Sequence, residues 1–338
     1  MAMENKRKRK EILILNILKN SKENVSSSRV AEELEFLGHE VSERTVRLYL
    51  QQMDAEGLTE SNGKRGHIIT ARGKEELESF RIIEKVGFLS AKIDQLSYRM
   101  NFSLNTASGT VLINITMVEA DLFAKNIPLI QRVYEDGYTM GQLLTFIGPG
   151  ESCGEVKIPE GMIGVGTVCS ITLNGVLLKQ GIPITSRFGG LLELADKKPT
   201  RFVEIIMYDG TSIDPLEIFI RSGMTNCLDL IQTGNGRIGA SFREFPTESR
   251  DTVEQLAEKL RMIGLGGLVK IGKPGQSVLD IPVSEGRIGA IVIGGLNPVS
   301  ILEETGVRAY SRAMAGLIDF NRLFRYEELD KRIKEYLE

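Results

Sequence analysis

Over residues 7–84 the apolar positions recur at helical spacing, interrupted once by a short alternating stretch. Ile12, Leu15 and Leu18 share one face of a helix predicted over 7–20, which Asn20-Ser21-Lys22 breaks. Ser26 to Ser28 offer capping hydroxyls to a second helix over 29–37, stopped by Gly38; Ser42 caps a third over 43–56, stopped by Gly57. Two short strands, 58–61 and 67–70, flank Asn62-Gly63-Lys64-Arg65-Gly66. Asn-Gly favours positive φ at both positions and so predicts a tight hairpin. A further helix over 74–84 closes the unit. Three helices and a hairpin in this order define a winged helix-turn-helix. In its third helix Val46, Leu50 and Met53 fall at i, i+4 and i+7 and must face the small core. Half a turn away lie Arg44, Arg47 and Gln51, with Thr45 beside them, in a helix opened by Ser42-Glu43-Arg44-Thr45-Val46-Arg47. Those side chains suit base edges and phosphates in a major groove. Lys64 and Arg65, at the hairpin tip, sit where a wing meets the neighbouring backbone. A solvated basic face on a three-helix domain is the alternative. The coincidence of basic residues at both contact places favours DNA.

From 82 to 100 the spacing shifts to fours and threes, through Ile82, Val86, Leu89, Ile93, Leu96 and Met100. The run is under three heptads and contains Gly87, so it reads equally as a linker helix on its own domain or as a dimer seam. Dimerisation has a separate basis, because one small reading head needs a partner and a two-fold half-site.

Beyond residue 105 the pattern repeats. A shift of 125 residues puts Pro149-Gly150 on Pro274-Gly275, Gly141 on Gly266, and Gly161, Ile163 and Gly164 on Gly286, Ile288 and Gly289. It also puts Leu177, Gly181, Ser186 and Arg187 on Leu302, Gly306, Ser311 and Arg312. One constant offset over so long a span marks two halves, 106–196 and 231–321. Each begins with a strand (110–118; 238–245) and an amphipathic helix (127–136; 252–262). A short strand then runs into a Pro-Gly loop, followed by an aliphatic β-rich segment (163–173; 288–296) and a closing segment through the Ser-Arg pair. The joining stretch holds a strand at 201–208, and residues 326–338 form an amphipathic helix packed on the body or a partner. The fold class is therefore α+β, a winged helix over 1–82, a linker helix over 83–105 and a duplicated mixed α/β regulatory domain over 106–338. A duplicated domain places a cleft near its pseudo-two-fold axis, and clefts take ligands. The paired Arg187 and Arg312, with Ser186, Ser311 and Cys153, either grip an anion from both sides or make salt bridges repeated because the fold repeats.

Composition narrows the choices. No run of about 18 apolar residues exists to span a bilayer. The basic start, Met1 to Lys10, is not followed by a signal-peptide core, so a cytoplasmic location is expected. Three scattered cysteines and two N-terminal histidines, His39 and His67, argue against a disulfide framework, a metal site or a histidine-based hydrolase in the large domain. Residues 1–75 carry 14 Lys and Arg against 12 Asp and Glu, while the whole chain has a net charge of −3. Placement rather than total charge carries the nucleic-acid reading. Gly234-Asn235-Gly236-Arg237-Ile238-Gly239 mimics a dinucleotide fingerprint after a candidate strand, 228–233. A true fingerprint needs a helix next, but residues 240–245 alternate like a strand and run into Pro246.

The whole span 10–325 resembles the archaeal nitrogen-regulatory repressor family NrpR, in the architecture with one winged helix and one regulatory domain. The resemblance rests on 42–47 together with Ile147-Gly148-Pro149-Gly150, the segment 161–168, Asn174-Gly175-Val176-Leu177-Leu178 and Ser186-Arg187-Phe188-Gly189-Gly190-Leu191-Leu192. It implies a homodimer that binds inverted-repeat operator DNA ahead of nitrogen-assimilation genes, is released by 2-oxoglutarate, needs no cofactor and is not an enzyme. A second regulator of the NrpR type is a further candidate partner. Arg187, Arg312, Ser186, Ser311, Cys153 and loop amides are the groups available for that dicarboxylate. The competing classes are an adaptor for another regulator and an enzyme in 106–325 working through Asp and Glu.

Overall fold

The computed structural model describes residues 2–21, 24–36, 41–84 and 88–337; the side chains of 2–9, 36, 64, 78–84 and 88 lie outside that description. The chain divides into two compact units, Met1–Val86 and Gly87–Glu338.

The first unit runs α1 (Ala2–Asn20), α2 (Ser27–Phe36), α3 (Glu43–Ala55), β1 (Thr59–Ser61), β2 (His67–Ile69) and α4 (Ala71–Glu84). Its core is made by Ile14, Leu18, Val30, Leu34, Val46, Leu50, Met53 and Leu77, all buried. Each contributes about 1.5–3 kcal/mol by leaving water. α3 starts where the hydroxyl of Ser42 accepts from the Thr45 N–H at 3.3 Å. The Gly38 stop of α2 lies outside the described residues. The hairpin is present, with Ser61 opposite His67, but its turn differs from the expected one. Asn62 has φ −101° and a 3₁₀ turn spans Gly63–Arg65 before Gly66 at φ +104°. A Cβ on Gly66 would stand 2.4 Å from the Val25 carbonyl oxygen, because Val25 forms a single antiparallel bridge to the neighbouring His67. That added pairing, invisible in local sequence, sets the longer turn.

The second unit opens with α5 (Phe88–Arg99). The first half continues as β3 (Thr110–Val118), α6 (Ala120–Glu135), β4 (Leu143–Ile147), the ribbon β5 (Ser152–Cys153) and β6 (Val156–Lys157), β7 (Ile163–Val168), α7 (Ile171–Lys179) and β8 (Thr185–Ala195). β9 (Lys198–Met207), α8 (Pro215–Arg221) and α9 (Cys227–Thr233) join it to the second half. That half is β10 (Gly236–Pro246), α10 (Arg250–Met262), β11 (Leu268–Ile271), β12 (Arg287–Ile293), α11 (Asn297–Glu304) and β13 (Tyr310–Asp319); β14 (Phe324–Arg325) and α12 (Leu329–Arg332) close the chain. The order strand, helix, strand, strand, helix, strand thus occurs twice.

Two five-stranded antiparallel sheets result, ordered β13-β3-β7-β4-β14 and β11-β12-β10-β8-β9. The last strand of each half has crossed over. β8 pairs with β10 and β13 with β3, so neither half closes its own sheet. The cores are shared in the same way. Phe123 and Ile130 of α6 pack with Phe188, Ile238, Phe242 and Ile291 of the second sheet. Val253, Leu256 and Leu260 of α10 pack with Ile113 and Ile115 of the first.

Three further expectations need correction. The aliphatic segments 163–173 and 288–296 end as strands at Val168 and Ile293, and helices α7 and α11 come next. Ile171 to Leu177 and Asn297 to Leu302 are buried without interruption, so these helices have no polar face to reveal their period. The candidate strand 228–233 is helix α9, capped by Gly234 at φ +82°. Gly236 and Gly239 sit where a Cβ would meet the Asn226 carbonyl oxygen at 2.3 Å and Leu216 at 2.7 Å; these glycines serve packing. The tail forms short 3₁₀ and α turns rather than one long helix. In α5, Leu89, Ile93 and Leu96 are buried against Leu112, Ile171, Tyr208 and Met314 of the same unit. The Ile82 side chain, Val86 and Gly87 lie outside the described residues.

Candidate nucleic-acid interface and effector cavity

The stripe Val46, Leu50, Met53 turns inward and leaves the opposite face of α3 in solvent. Arg44, Arg47 and Gln51 are exposed there, and Arg65 is exposed at the hairpin tip. The Lys64 side chain lies outside the described residues. Ser42 and Thr45 have a structural task, their hydroxyls bonding each other at 2.8 Å at the helix start. Arg47 donates to Glu43 at 2.6 Å and to Ser27 of α2 at 3.2 Å. Hydrogen bonds from Arg47 and then Ser27 hold the Glu43 carboxyl below its ordinary range. Arg47 is therefore oriented across the α2–α3 junction, whereas among the described residues no such tether holds Arg44. Leu48 was not among the expected contacts, yet it is 55% exposed. It lies four residues after Arg44 and three before Gln51, on their face. Its displacement from the 46/50/53 stripe is the signal that identifies it.

In the regulatory unit the two Ser-Arg pairs both stand at β-bulges. β8 slips register at Arg187, between the partners of Phe242 and Arg243. β13 slips between Arg312, opposite Ile115, and Gly316, opposite Ile113. The environments have diverged. Arg187 pairs with the buried Glu244 at 2.5 Å, and Glu244 also accepts from the Ser284 hydroxyl at 2.9 Å. Ser186 accepts from Asn174 at 3.0 Å, beside the fully buried Arg243, which donates to the Ser170 carbonyl at 2.8 Å and to the Asn174 side chain. Ser311 instead bonds Thr116 at 2.8 Å. Cys153 is buried and its thiol is pushed up by that burial.

Of the five candidates Arg312 lines a cavity of about 330 Å³, with Lys92 of α5, Arg221 and Glu217 of α8, Asp214 and Glu155. The bulge forms one wall. Met314 is held at φ +48°, and the Ala313 and Met314 amides donate to Glu217 at 2.5 Å and Asn114 at 3.1 Å. Glu217 faces Arg312 at 3.7 Å and Arg221 at 4.0 Å. Asp214 caps α8 by accepting from the Leu216 N–H at 2.9 Å. Burial first, and Glu217 second, push its carboxyl up to about 7. Three cations, Lys92, Arg221 and Arg312, thus share one space with three acids, Glu155, Asp214 and Glu217. Lys92 and Arg221 carry no repeat signature, which is why the sequence alone did not place them here.

A winged helix joined to a duplicated α+β unit defines a class of transcription regulator. Residues 12–77 match the profile of the ribonuclease R winged-helix domain, and residues 86–325 match that of the NrpR regulatory domains NRD1 and 2. The chain is 33% identical over 315 residues to the global nitrogen regulator NrpRI of Methanosarcina mazei, covering 93% of this chain and 97% of that protein. It is 32% identical over 320 residues to the global nitrogen regulator NrpR of Methanocaldococcus jannaschii, covering 95% of this chain but 55% of that protein. The crystal structure of a nitrogen repressor-like protein from Methanococcus jannaschii superposes with a TM-score of 0.60 at 25% identity, over 70% of this chain and 97% of that one. The chain belongs to the NrpR family of nitrogen regulators. Among the described residues no helix is long and apolar enough to cross a membrane.

Proposed function

We propose that the chain represses nitrogen-assimilation genes by binding inverted-repeat operator DNA as a homodimer, and that 2-oxoglutarate releases it. The observation that carries the DNA half is the outward face of α3. Arg44 and Gln51 fit guanine and adenine edges, and Leu48 between them fits a thymine methyl. Arg65 at the hairpin tip fits the neighbouring phosphates. The effector half is supported by the Arg312 cavity. A five-carbon dicarboxylate needs cationic donors at both ends, and Lys92, Arg221 and Arg312 all line that one space. Its size falls at the lower end of small-ligand pockets, about 300–1,000 Å³. Arg187, tied to buried Glu244, is a structural anchor in this scheme. Lys92 and Leu89 belong to α5, the first element after the winged-helix unit. A ligand drawn to Lys92 therefore acts on the helix that leads out of the reading head. A differential affinity worth about 1–3 kcal/mol between DNA-competent and DNA-incompetent arrangements suffices for such a switch.

The test is retention of fragmented genomic DNA on the pure protein, with and without millimolar 2-oxoglutarate. Selective retention of promoter fragments of nitrogen genes, lost on adding the acid, is expected. Retention indifferent to 2-oxoglutarate discards the effector; absence of selective retention discards the repressor. In the same assay Arg44→Ala should cost about 1–3 kcal/mol and relax base preference, whereas Arg65→Ala should weaken all sequences alike and lower the salt slope by about one.

A further inference from the structure

The two halves differ at one sheet edge. In the first half β14 pairs with β4, Phe324 opposite Leu144 and Arg325 opposite Leu143. The chain then turns onto α6: Tyr326 stacks on Tyr134 with ring centroids 5.1 Å apart, and Gln131 donates to Asp330 at 3.1 Å. Leu329 and Ile333 are buried there, and Phe324 meets Phe146. The corresponding surface of the second half follows from the offset, with one difference: β11 bulges at Val269, between Leu268 and Lys270. The repeat offset carries Leu143 and Phe146 of β4 to Leu268 and Ile271 of β11. The helix ends also coincide. The Tyr138 N–H donates to the Val133 carbonyl as the Leu265 N–H does to that of Leu260, so Gln131 and Tyr134 correspond to Glu258 and Arg261. Glu258, Leu260, Arg261, Leu268 and Ile271 line an open cavity of about 230 Å³. β11 is an edge strand; Val269 on it is 38% exposed, and Met262 at the end of α10 is 73% exposed. Among the described residues, no strand pairs with β11 from outside.

We infer that this groove receives a segment of a partner protein that adds a strand to β11 and then turns onto α10, as the tail does on β4 and α6. Strand addition to a free edge supplies main-chain hydrogen bonds, and the flanking pocket selects side chains. The chemistry of the pocket separates this segment from the tail of a second copy. Where Gln131 donates to Asp330, Glu258 can only accept, so the visitor carries Lys or Arg in place of Asp330. Where Tyr134 stacks on Tyr326, the Arg261 guanidinium is held by two bonds to Glu258, at 2.8 and 2.6 Å, and offers its face to an aromatic ring. Each tail, moreover, already buries Phe324, Leu329 and Ile333 in its own first-half groove. The inference rests on the pseudo-symmetry of the regulatory unit and stands apart from the DNA and effector readings.

The test titrates the full-length protein into fluorescent peptides of residues 322–337, one native and one carrying Asp330→Lys, and tracks anisotropy. The Asp330→Lys peptide should bind, and the native peptide should bind about tenfold more weakly, a difference of about 1.4 kcal/mol. Glu258→Gln should reverse that order, because it recreates the Gln131 donor. Val269→Asp, at an exposed position, should abolish binding of both while circular dichroism stays unchanged. Failure of the Asp330→Lys peptide to bind overturns the proposal, as does binding indifferent to Glu258→Gln and Val269→Asp. Tighter binding of the native peptide to the unaltered protein overturns it too, and makes the tail of a second copy the occupant.

Discussion

Asp214 is a carboxylate whose environment favours the proton. With its carboxyl pushed up to about 7, the Arg312 cavity holds Lys92, Arg221 and Arg312 against Glu155 and Glu217 on the acid side of that value. On the alkaline side Asp214 adds a third negative charge. A dicarboxylate should accordingly bind more weakly as pH rises from about 6 to about 8, the loss approaching about tenfold per pH unit where one proton is linked. Calorimetric titration over that range checks it, and Asp214→Asn should flatten the profile. The stability consequence has the same sign. The folded unit retains a proton that the unfolded chain releases in the ordinary aspartate range, so stability is lost as pH climbs from that range through the raised value and levels off above it. At this scale the sequence was legible where chemistry coincided with periodicity. The exposure of Arg44 and Gln51 follows from their standing off the 46/50/53 stripe, and the bulge at Arg312 from its recurrence at a fixed offset. Asp214, Arg221 and Lys92 stand at the cavity only because strands and helices far apart in the chain meet there.

Among the elements, α5 shows how one pattern fits two structures. Leu89, Ile93 and Leu96 have the rhythm of a coiled coil, yet all three are buried in their own unit beside Ile171 and Tyr208. Ile93→Ala should therefore cost about 2–5 kcal/mol in denaturant unfolding. The mass of the assembly in solution should stay unchanged, whereas a residue of a dimer seam would alter it. The amphipathic elements, α3, α6 and α10, were legible because one face is wet. The helices α7 and α11 were not, since burial on every side removes the polar positions from which a period is read. The hairpin between β1 and β2 shows the reverse case: the local Asn-Gly signal located the turn, while pairing of Val25 with His67 decided its length.

For the molecule as a whole, the repeat was legible as an offset, but the exchange of β8 and β13 between the sheets was not. Identities between halves say that two copies share a shape; they carry no information on which copy completes which sheet. The exchange constrains how such a unit can arise and come apart. A chain stopping after β8 would own three strands of one sheet and a fourth with nowhere to go. Two such chains, each lending β8 to its twin, would restore the missing partners for both. Expressed alone, residues 87–196 should sediment as a twofold, interlaced pair, and a stable monomer would sink this reading. The regulatory unit then has the form of an interlaced pair carried on one covalent thread, with the joint spanning α8 and α9 holding the two copies together.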